Sequence, residues 1–205
     1  MAESIPLLFM VQSRLDGALW LPFAFRPGAP ADGWWPGLLT AMFLHANWAH
    51  AAMNAGGALA FGPPVARLFP GARGAGVFLL FYIVCGVAAA LGYGLIHLNS
   101  DGVMVGASGA VFGLMGAAIR LLGRRNGGLR SLTDRRVLVT GAALMGVNLL
   151  TGLIGFLPGA EGAQIAWEAH AFGFAFGLLA IGPWMRVFGP RSAFDSPADL
   201  RDPPA

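Results

Sequence analysis

Four polar side chains stand near the ends of apolar segments and could together catalyse acyl transfer. Ser108 lies among glycines, and His170 precedes a second glycine-containing run. His50 and Asn54 are four residues apart, which puts an imidazole and an amide on one face of a helix. A serine beside an imidazole is the pairing of a nucleophile with its general base. An imidazole, an amide and the Ser108 backbone N–H at a helix N-terminus are groups that can donate hydrogen bonds to a developing oxyanion.

Glycines could bring the serine and the imidazole together. They recur through the Ser108 segment, at positions 106, 109, 113 and 116, and leave one helix face without side chains. Gly173 and Gly177 form a complementary small-residue face beside His170. If the two faces pack together, the backbones approach closely enough for Ser108 and His170 to hydrogen-bond. Glycine spacing of this kind is also common in ordinary membrane helix packing, where a neighbouring serine forms only a structural hydrogen bond.

The sequence places no carboxylate where it could orient the His170 imidazole. Glu168 is two residues away, about 200° round a helix, and Asp101 falls in a predicted loop. The sequence therefore predicts a dyad of Ser108 and His170 rather than a triad. A lone buried histidine is more often a structural hydrogen-bonding group, but two histidines, an asparagine and a serine at corresponding helix ends favour a functional site.

The composition is that of a polytopic membrane protein. Of the 205 residues, 56% are hydrophobic and only 11% are charged, and the mean hydropathy is +0.65. The formal net charge of +3 reflects arginines at the ends of apolar segments, where positive charge sets membrane orientation. The basic character therefore does not indicate a nucleic-acid partner. Cys85 is the only cysteine, which excludes a disulfide within the chain and a cysteine-based metal site.

Five apolar segments are predicted to be the helices that carry or support these polar residues. Their bounds are 48–62, 74–96, 108–122, 137–157 and 166–187. Pro63 and Pro64 should bend or end the first of them shortly before Arg67. The connecting segments 26–36, 99–105 and 158–164 have the composition of loops and turns, and Trp34 and Trp35 in the first of these could anchor it at the membrane interface.

The N-terminal segment 5–25 is apolar but holds Gln12, Arg14 and Asp16 at its centre, where a charge is costly. Either it lies in the membrane interface, or residues 5–11 are the tail of a helix whose start is missing. The chain is thus predicted to divide into three parts. These are a weak or truncated first helix with the start of an extracytoplasmic loop (1–34), a membrane core (35–188) and a disordered polar cytoplasmic tail (189–205).

The arginines predict the orientation of the bundle. They follow alternate helices, as Arg67 and Arg73, as six residues from Arg120 to Arg136, and as Arg186, Arg191 and Arg201. These connections should be cytoplasmic, because short cytoplasmic loops carry an excess of basic residues. The opposite connections hold the acidic residues Asp32, Asp101, Glu161 and Glu168. The helices of Ser108 and His170 should therefore begin on the extracytoplasmic side.

The same arginines predict the depth of the site. Asn54, Ser108 and His170 precede the next cytoplasmic arginine by 13, 12 and 16 residues. At about 1.5 Å per residue these separations are roughly 20, 18 and 24 Å, so the three groups should share one level. That level lies on the order of 10 Å below the outer boundary of a hydrocarbon core of about 30 Å. The 99–107 backbone must then descend into the membrane, and we expect an outward-facing, water-filled pocket with Ser108 Oγ within about 3.5 Å of a His170 ring nitrogen.

Three motifs make the chain resemble the rhomboid family of intramembrane serine proteases over residues 35–188. They are His-x-x-x-Asn at 50–54, Gly-x-Ser-Gly at 106–109 and Ala-His-x-x-Gly-x-x-x-Gly at 169–177, in that order on the second, fourth and sixth helices. The resemblance implies an all-α, six-helix membrane bundle, from which this chain departs in a first helix that is truncated or poorly formed. It implies Ser108 as nucleophile, His170 as base, and His50, Asn54 and the Ser108 backbone as the oxyanion hole. The supporting residues are Gly106, Gly109, Phe112, Gly173 and Gly177, with Phe112 packed on the histidine.

The same resemblance implies what the protein acts on and where. Its partners would be transmembrane protein substrates in a lipid bilayer, without a metal or organic cofactor and without nucleic acid. The protein would be integral to the inner cell membrane, with its site open to the extracytoplasmic side. One alternative is a catalytically inactive relative that binds transmembrane helices, although such relatives typically lack the serine or the histidine. A small transporter would be expected to show internal repeats or paired broken helices, and the sequence has no convincing repeat.

Overall fold

The computed structural model describes residues 2–28, 35–123, 128–155 and 165–189, and within these ranges the chain is all-helical, with no β-strand. Eight α-helices follow in order: α1 (Ser4–Gln12), α2 (Gly17–Trp20), α3 (Gly37–Thr40), α4 (Trp48–Ala66), α5 (Gly71–Ile96), α6 (Ser108–Ile119), α7 (Arg135–Ile154) and α8 (Trp167–Phe188). Trp34, Arg124, Arg125, the 158–164 turn and the tail beyond 189 lie outside the described residues. The all-helical membrane fold predicted from composition is confirmed.

Three of these helices, α5, α7 and α8, are long and apolar enough to cross a membrane. Helix α6 has only 12 residues. At about 1.5 Å per residue it is roughly 18 Å long, well short of a hydrocarbon core of about 30 Å. An apolar helix that is too short to span must begin or end inside the bundle, as the arginine spacing predicted for the helix that carries Ser108.

Helix α6 is the centre of the bundle. Nine of its residues are buried, and α4, α5 and α8 all pack around it. Helix α7 lies at the periphery, against α8 and α6, and buries only Val137, Gly141 and Asn148. A helix that is apolar on nearly every face and buries so few residues is suited to contact with lipid. Asn148 is therefore an unusual polar residue on the protein-facing side of a lipid-facing helix.

Helix α4 begins at Trp48 as predicted, but it continues one turn beyond residue 62, to Ala66. Pro63 and Pro64 lie inside this last turn. Each proline removes one backbone donor from the helix. Helical hydrogen bonding still continues past them, since the Arg67 N–H donates to the Pro63 carbonyl over 3.1 Å. The two prolines therefore do not end the helix at their own positions, and it stops just before Arg67.

The ends of α6 and α7 differ from the predicted bounds for local reasons. Helix α6 ends at Ile119 rather than residue 122, because Arg120 forms hydrogen bonds with the returning chain at Arg130. The Arg120 side chain donates through Nε to the Arg130 carbonyl over 2.9 Å, and the Arg130 backbone N–H donates to the Arg120 carbonyl over 2.7 Å. Helix α7 ends at Ile154 rather than residue 157, because Gly155 adopts a left-handed conformation with φ of 66° that terminates it.

The N-terminal segment forms a short helix, α1, that packs against α4. Its last residue, Gln12, is buried and exchanges two hydrogen bonds with the backbone of His45: Nε2 donates to the carbonyl and Oε1 accepts from the N–H, both over 2.9 Å. The amide that made this segment unlike a membrane span is thus satisfied inside the protein. The pairing also fixes the chain that leads into α4.

Candidate active site

The loop between α5 and α6 delivers Ser108 to the interior of the bundle. Met104 and Phe25 exchange backbone hydrogen bonds of 2.8 and 3.0 Å, and Gly106 N–H donates to the Ala41 carbonyl over 2.8 Å. Irregular backbone at membrane depth is tolerated where protein surrounds it, since its polar groups must find partners. The end of the loop is therefore held by hydrogen bonds to neighbouring backbone, and Ser108 follows it as the first residue of α6.

The glycine faces of α6 and α8 pack directly against each other, as the sequence predicted. A Cβ atom on Gly173 would overlap the carbonyl oxygen of Gly109, and one on Gly177 would overlap that of Gly113. Only glycine allows the two backbones to come this close. The approach brings Ser108 Oγ to 2.8 Å from His170 Nε2, within the distance expected.

Two further residues hold the His170 ring. Phe112, one turn after Ser108, stacks on it with ring centroids 4.3 Å apart and an interplanar angle of 4°. Asn148 of α7 has its Oδ1 2.9 Å from His170 Nδ1, and its Nδ2 donates to the Trp167 carbonyl over 2.9 Å. The stacking of Phe112 agrees with the expectation from sequence. The contact of Asn148 with the imidazole was not predicted.

The acidic residue nearest to His170 in the chain points elsewhere, as the helical angle indicated. Glu168 Oε1 lies 3.3 Å from Nε2 of His97, at the end of α5. The imidazole of His170 therefore has an amide rather than a carboxylate on its Nδ1 side. A clue to this was present in the sequence, since Asn148 is a polar residue within a run of apolar ones, but the residue opposite it cannot be read from one helix alone.

His50 and Asn54 lie on the opposite side of Ser108, on α4. An ideal Cβ atom on Gly106 would lie 2.7 Å from His50 Nε2 and 3.7 Å from Ser108 Oγ. Gly106 has a φ of 122°, a conformation that side chains rarely adopt, so glycine is required both by the backbone and by the space between imidazole and hydroxyl. Asn54 is buried, with Nδ2 donating to the His50 carbonyl over 3.1 Å.

These groups face one cavity of about 840 Å³. Its lining includes His50, Asn54, Ser108 and His170, together with apolar residues of α4 to α7. A cavity of this size is large enough for a short peptide segment. Within the described residues no three His, Cys, Asp or Glu side chains cluster to form a metal site. The arrangement suits acyl transfer, since it joins a hydroxyl, a ring nitrogen that can accept its proton, and several hydrogen-bond donors.

Comparison of the sequence with known proteins shows which family the chain belongs to. Residues 31–186 match the family model described as Rhomboid domain. The chain is 32% identical over 149 residues to the putative rhomboid protease YdcA of Bacillus subtilis, covering 73% of this chain and 67% of that protein. It is 31% identical over 165 residues to Rhomboid-like protein 11, chloroplastic, of Arabidopsis thaliana, covering 78% and 56%.

A third relative matches a shorter segment of the chain. The rhomboid protease GluP of Bacillus subtilis is 36% identical over 89 residues, which covers 43% of this chain and 16% of that protein. The match to YdcA thus spans about two thirds of that protein's length, whereas the match to GluP spans 16% of GluP.

Proposed function

Because this chain belongs to the rhomboid family, we propose that it is an intramembrane serine protease that hydrolyses peptide bonds in or near the transmembrane segments of other membrane proteins. The observation that carries the proposal is the 2.8 Å contact between Ser108 Oγ and His170 Nε2 in a cavity of about 840 Å³. The pairing of a hydroxyl with a neutral imidazole nitrogen is what a serine nucleophile needs at neutral pH.

The reaction would proceed through an acyl-enzyme. Ser108 Oγ attacks the carbonyl carbon of the scissile bond as His170 Nε2 takes its proton, and a tetrahedral oxyanion forms. His170 returns the proton to the departing amine, the C–N bond breaks, and an ester joins the substrate acyl group to Ser108. Water, deprotonated by the same nitrogen, then attacks the ester and releases the carboxyl product and the free hydroxyl.

The oxyanion would be stabilised from the α4 side and by the start of α6. The first N–H groups of a helix have no intrahelical acceptor, so the Ser108 backbone N–H is available to the substrate. His50 Nδ1 accepts a hydrogen bond from the Ala46 backbone N–H over 3.5 Å, which leaves Nε2, the nitrogen beside Gly106, as the one that carries the hydrogen. Asn54 carries a second amide hydrogen beyond the one bonded to the His50 carbonyl.

The substrate class and the orientation follow from family and charge. The cavity lies among membrane helices, which suits another membrane protein as substrate. The resemblance to the rhomboid family implies that such a substrate would present a small residue at the cleavage site and a helix that unwinds easily. The protein would reside in the inner cell membrane, with its site open to the extracytoplasmic side, because the arginine-rich connections favour the cytoplasm. No metal or organic cofactor takes part in the proposed reaction.

The alternative is a catalytically inactive relative that binds transmembrane helices without cleaving them. It is disfavoured because the serine and the histidine are both present and bonded to each other. A purely structural serine–histidine bond would leave Ser108 unreactive towards reagents that mimic the acyl-transfer transition state.

Reactivity towards a fluorophosphonate tests the proposal. We expect the purified protein to be labelled at Ser108 and to cleave a model transmembrane substrate in proteoliposomes. Ser108→Ala and His170→Ala should each abolish cleavage while the protein stays folded, because each removes half of the dyad. Ser131→Ala, a change at an exposed loop serine, is the matched control and should behave as wild type. Wild-type turnover by Ser108→Ala would refute the protease function.

A further inference from the structure

We propose that Asn148 is a positioning residue for His170, and that it holds the imidazole in the tautomer in which Nε2 can accept the Ser108 proton. Its consequence for catalysis rests on the proposed protease function, whereas the tautomer itself does not. The sequence predicted a dyad without an orienting group, and no carboxylate within the described residues contacts the ring. The amide of Asn148 occupies that position instead.

The orientation of the Asn148 amide is decided by a backbone carbonyl. Asn148 is 4% exposed, and its two polar atoms have one partner each, the Trp167 carbonyl and the His170 ring. A carbonyl oxygen can only accept a hydrogen bond, so the amide NH₂ must face Trp167. The amide oxygen is therefore the atom that faces His170. A flipped amide would bring two oxygen atoms together at 2.9 Å with no hydrogen between them.

The amide oxygen in turn decides the tautomer of His170. An amide oxygen only accepts, so the nitrogen 2.9 Å away, Nδ1, must carry a hydrogen. In the neutral ring the other nitrogen, Nε2, is then without a hydrogen. Nε2 is the atom 2.8 Å from Ser108 Oγ, so the hydroxyl must be the donor. One chain of hydrogen bonds from Trp167 through Asn148 and His170 thus points the Ser108 proton at the base.

Asn148 also removes a rotational freedom that the stacked Phe112 leaves open. Two rings stacked at an angle of 4° define the plane of the imidazole, but they do not distinguish it from the same ring turned by 180° about its Cβ–Cγ bond. Such a flip keeps the plane but would replace both nitrogens by carbon atoms at their partners. The Asn148 bond distinguishes the two orientations, and it does so from a third helix, α7. The ring is therefore held by α6 through Phe112 and Ser108, by α8 through its own backbone, and by α7 through Asn148.

Substitutions that separate the acceptor from the donor of Asn148 test the proposal. Asn148→Leu removes both bonds, whereas Asn148→Asp keeps an acceptor for His170 Nδ1–H. We expect Asn148→Leu to lower kcat and the rate of fluorophosphonate labelling by about 10- to 100-fold with KM unchanged, as for loss of other groups that orient a histidine. Asn148→Asp should restore most of this rate. The control on the same helix is Leu150→Ala, which changes a largely exposed side chain and should leave both rates unchanged.

The tautomer can be read directly by nitrogen NMR of the histidine rings. In the wild type His170 should show a hydrogen-bearing Nδ1 and a bare Nε2, with the signals assigned by their loss in His170→Ala. In Asn148→Leu the ring should become a mixture of both tautomers. Since this measurement does not need activity, it decides the proposal even if the wild type neither labels nor cleaves, an outcome that would sink only the protease function.

The outcomes separate orientation from mere support of α7. If Asn148 only ties α7 to α8 through Trp167, then Leu and Asp variants lose activity and melting temperature together, and the proposal is wrong. It is also overturned if the His170 tautomer is the same in Asn148→Leu as in the wild type. A slower labelling rate in Asn148→Leu, a shifted tautomer and recovery by Asn148→Asp would support it.

Discussion

At the scale of single residues, the polar groups around Ser108 differ in the hydrogen-bond partners that they already have, and these partners indicate the role of each group in the proposed reaction. The His170 imidazole is bonded at both nitrogens, so it is positioned before any substrate arrives. Among the residues that the structure describes, Asn54 is hydrogen-bonded to the His50 carbonyl of its own helix, through an amide that has a second hydrogen. That remaining hydrogen is the one available to a substrate oxygen, and this leads to a prediction about Asn54.

Asn54→Ala should lower kcat by up to about 10²-fold, the lower range for loss of an oxyanion donor, because the dyad stays intact while one donor is lost. His50 and the Ser108 backbone N–H would supply the rest, so activity should not vanish. The measurement is steady-state cleavage of a transmembrane substrate, with Leu59→Ala as control, an exposed position on the same helix. An unchanged kcat would take Asn54 out of the oxyanion hole.

At the scale of elements, the contact of α6 with α8 is what brings serine and histidine together. The two backbones touch at Gly173 and Gly177, where any side chain would meet a carbonyl oxygen of the facing helix. The dyad therefore depends on residues that take no part in the chemistry. Loss of a glycine should move the helices apart and lengthen the bond between Ser108 and His170.

Gly177→Ala should destabilise the bundle by about 2 kcal/mol or more, the scale of an overpacked core, and should lower activity as well. The matched control is Gly146→Ala on α7, where nothing lies within 4 Å of an added Cβ atom. Thermal unfolding in detergent, followed by fluorescence, gives the comparison. Equal melting temperatures for the two variants would contradict the close helix contact.

The start of α7 is capped by the partly exposed carboxylate of Asp134. Asp134 Oδ1 accepts the Arg136 backbone N–H over 2.8 Å and Oδ2 accepts from Arg130 Nη1 over 2.7 Å. The hydrogen bond from Arg130, followed by that from the Arg136 backbone, lowers the pKa of Asp134 from its usual value of 3.8. A carboxyl group with a lowered pKa in the folded state stabilises the protein above the unfolded-state pKa, and the effect is lost as the pH falls through the folded-state value.

We therefore expect the melting temperature of the wild type to exceed that of Asp134→Asn at neutral pH, and the difference to shrink below about pH 4 as the carboxylate is protonated. Asparagine still accepts at the N-cap, so the comparison removes the charge and the hydrogen bond from Arg130 while it keeps the cap. Melting curves of both proteins between neutral and acidic pH make the measurement. A difference independent of pH would show that the charge of Asp134 has no role.

At the scale of the whole molecule, the proposed orientation rests on the distribution of positive charge, and it predicts the side of the membrane on which the cavity would open. Arg67 follows α4, Arg73 lies in the first turn of α5, Arg120 and Arg130 follow α6, and Arg186 lies in the last turn of α8. Consecutive helix ends on one side of the bundle therefore carry these basic residues. The loop between α5 and α6, which leads to Ser108, lies at the other side.

Orientation can be measured by thiol labelling in intact cells. In a Cys85→Ala background, Ser131→Cys in the loop before α7 should be shielded from an impermeant reagent, whereas Asp101→Cys before α6 should react. Both positions are exposed, so a difference between them reflects the side of the membrane rather than burial. Labelling after permeabilisation is the control, where both should react. The reverse pattern would overturn the topology and place the site on the cytoplasmic side.

What the sequence determined by itself is local or periodic. Composition and apolar length determined the membrane class, arginine spacing predicted that the Ser108 helix is too short to span, and the glycine repeats predicted the contact of α6 with α8. These features depend on residues near one another in the chain or on a repeat that defines a helix face. The start of α4 at Trp48 is likewise local, because Asn47 caps it by accepting the His50 N–H over 2.8 Å.

Only the tertiary structure decided which groups meet across the bundle. Asn148 and His170 are 22 residues apart on different helices, and Gln12 and His45 are 33 apart. The end of α6 at Ile119 depends on the chain returning to Arg120 from Arg130. Such contacts depend on how the helices are rotated and packed against one another. A sequence pattern predicts which residues share a face of one helix, but it does not predict which side chain of another helix lies opposite that face. Asn148 faces His170 because α7 packs on α8 at that level, and that packing exists only in the folded bundle.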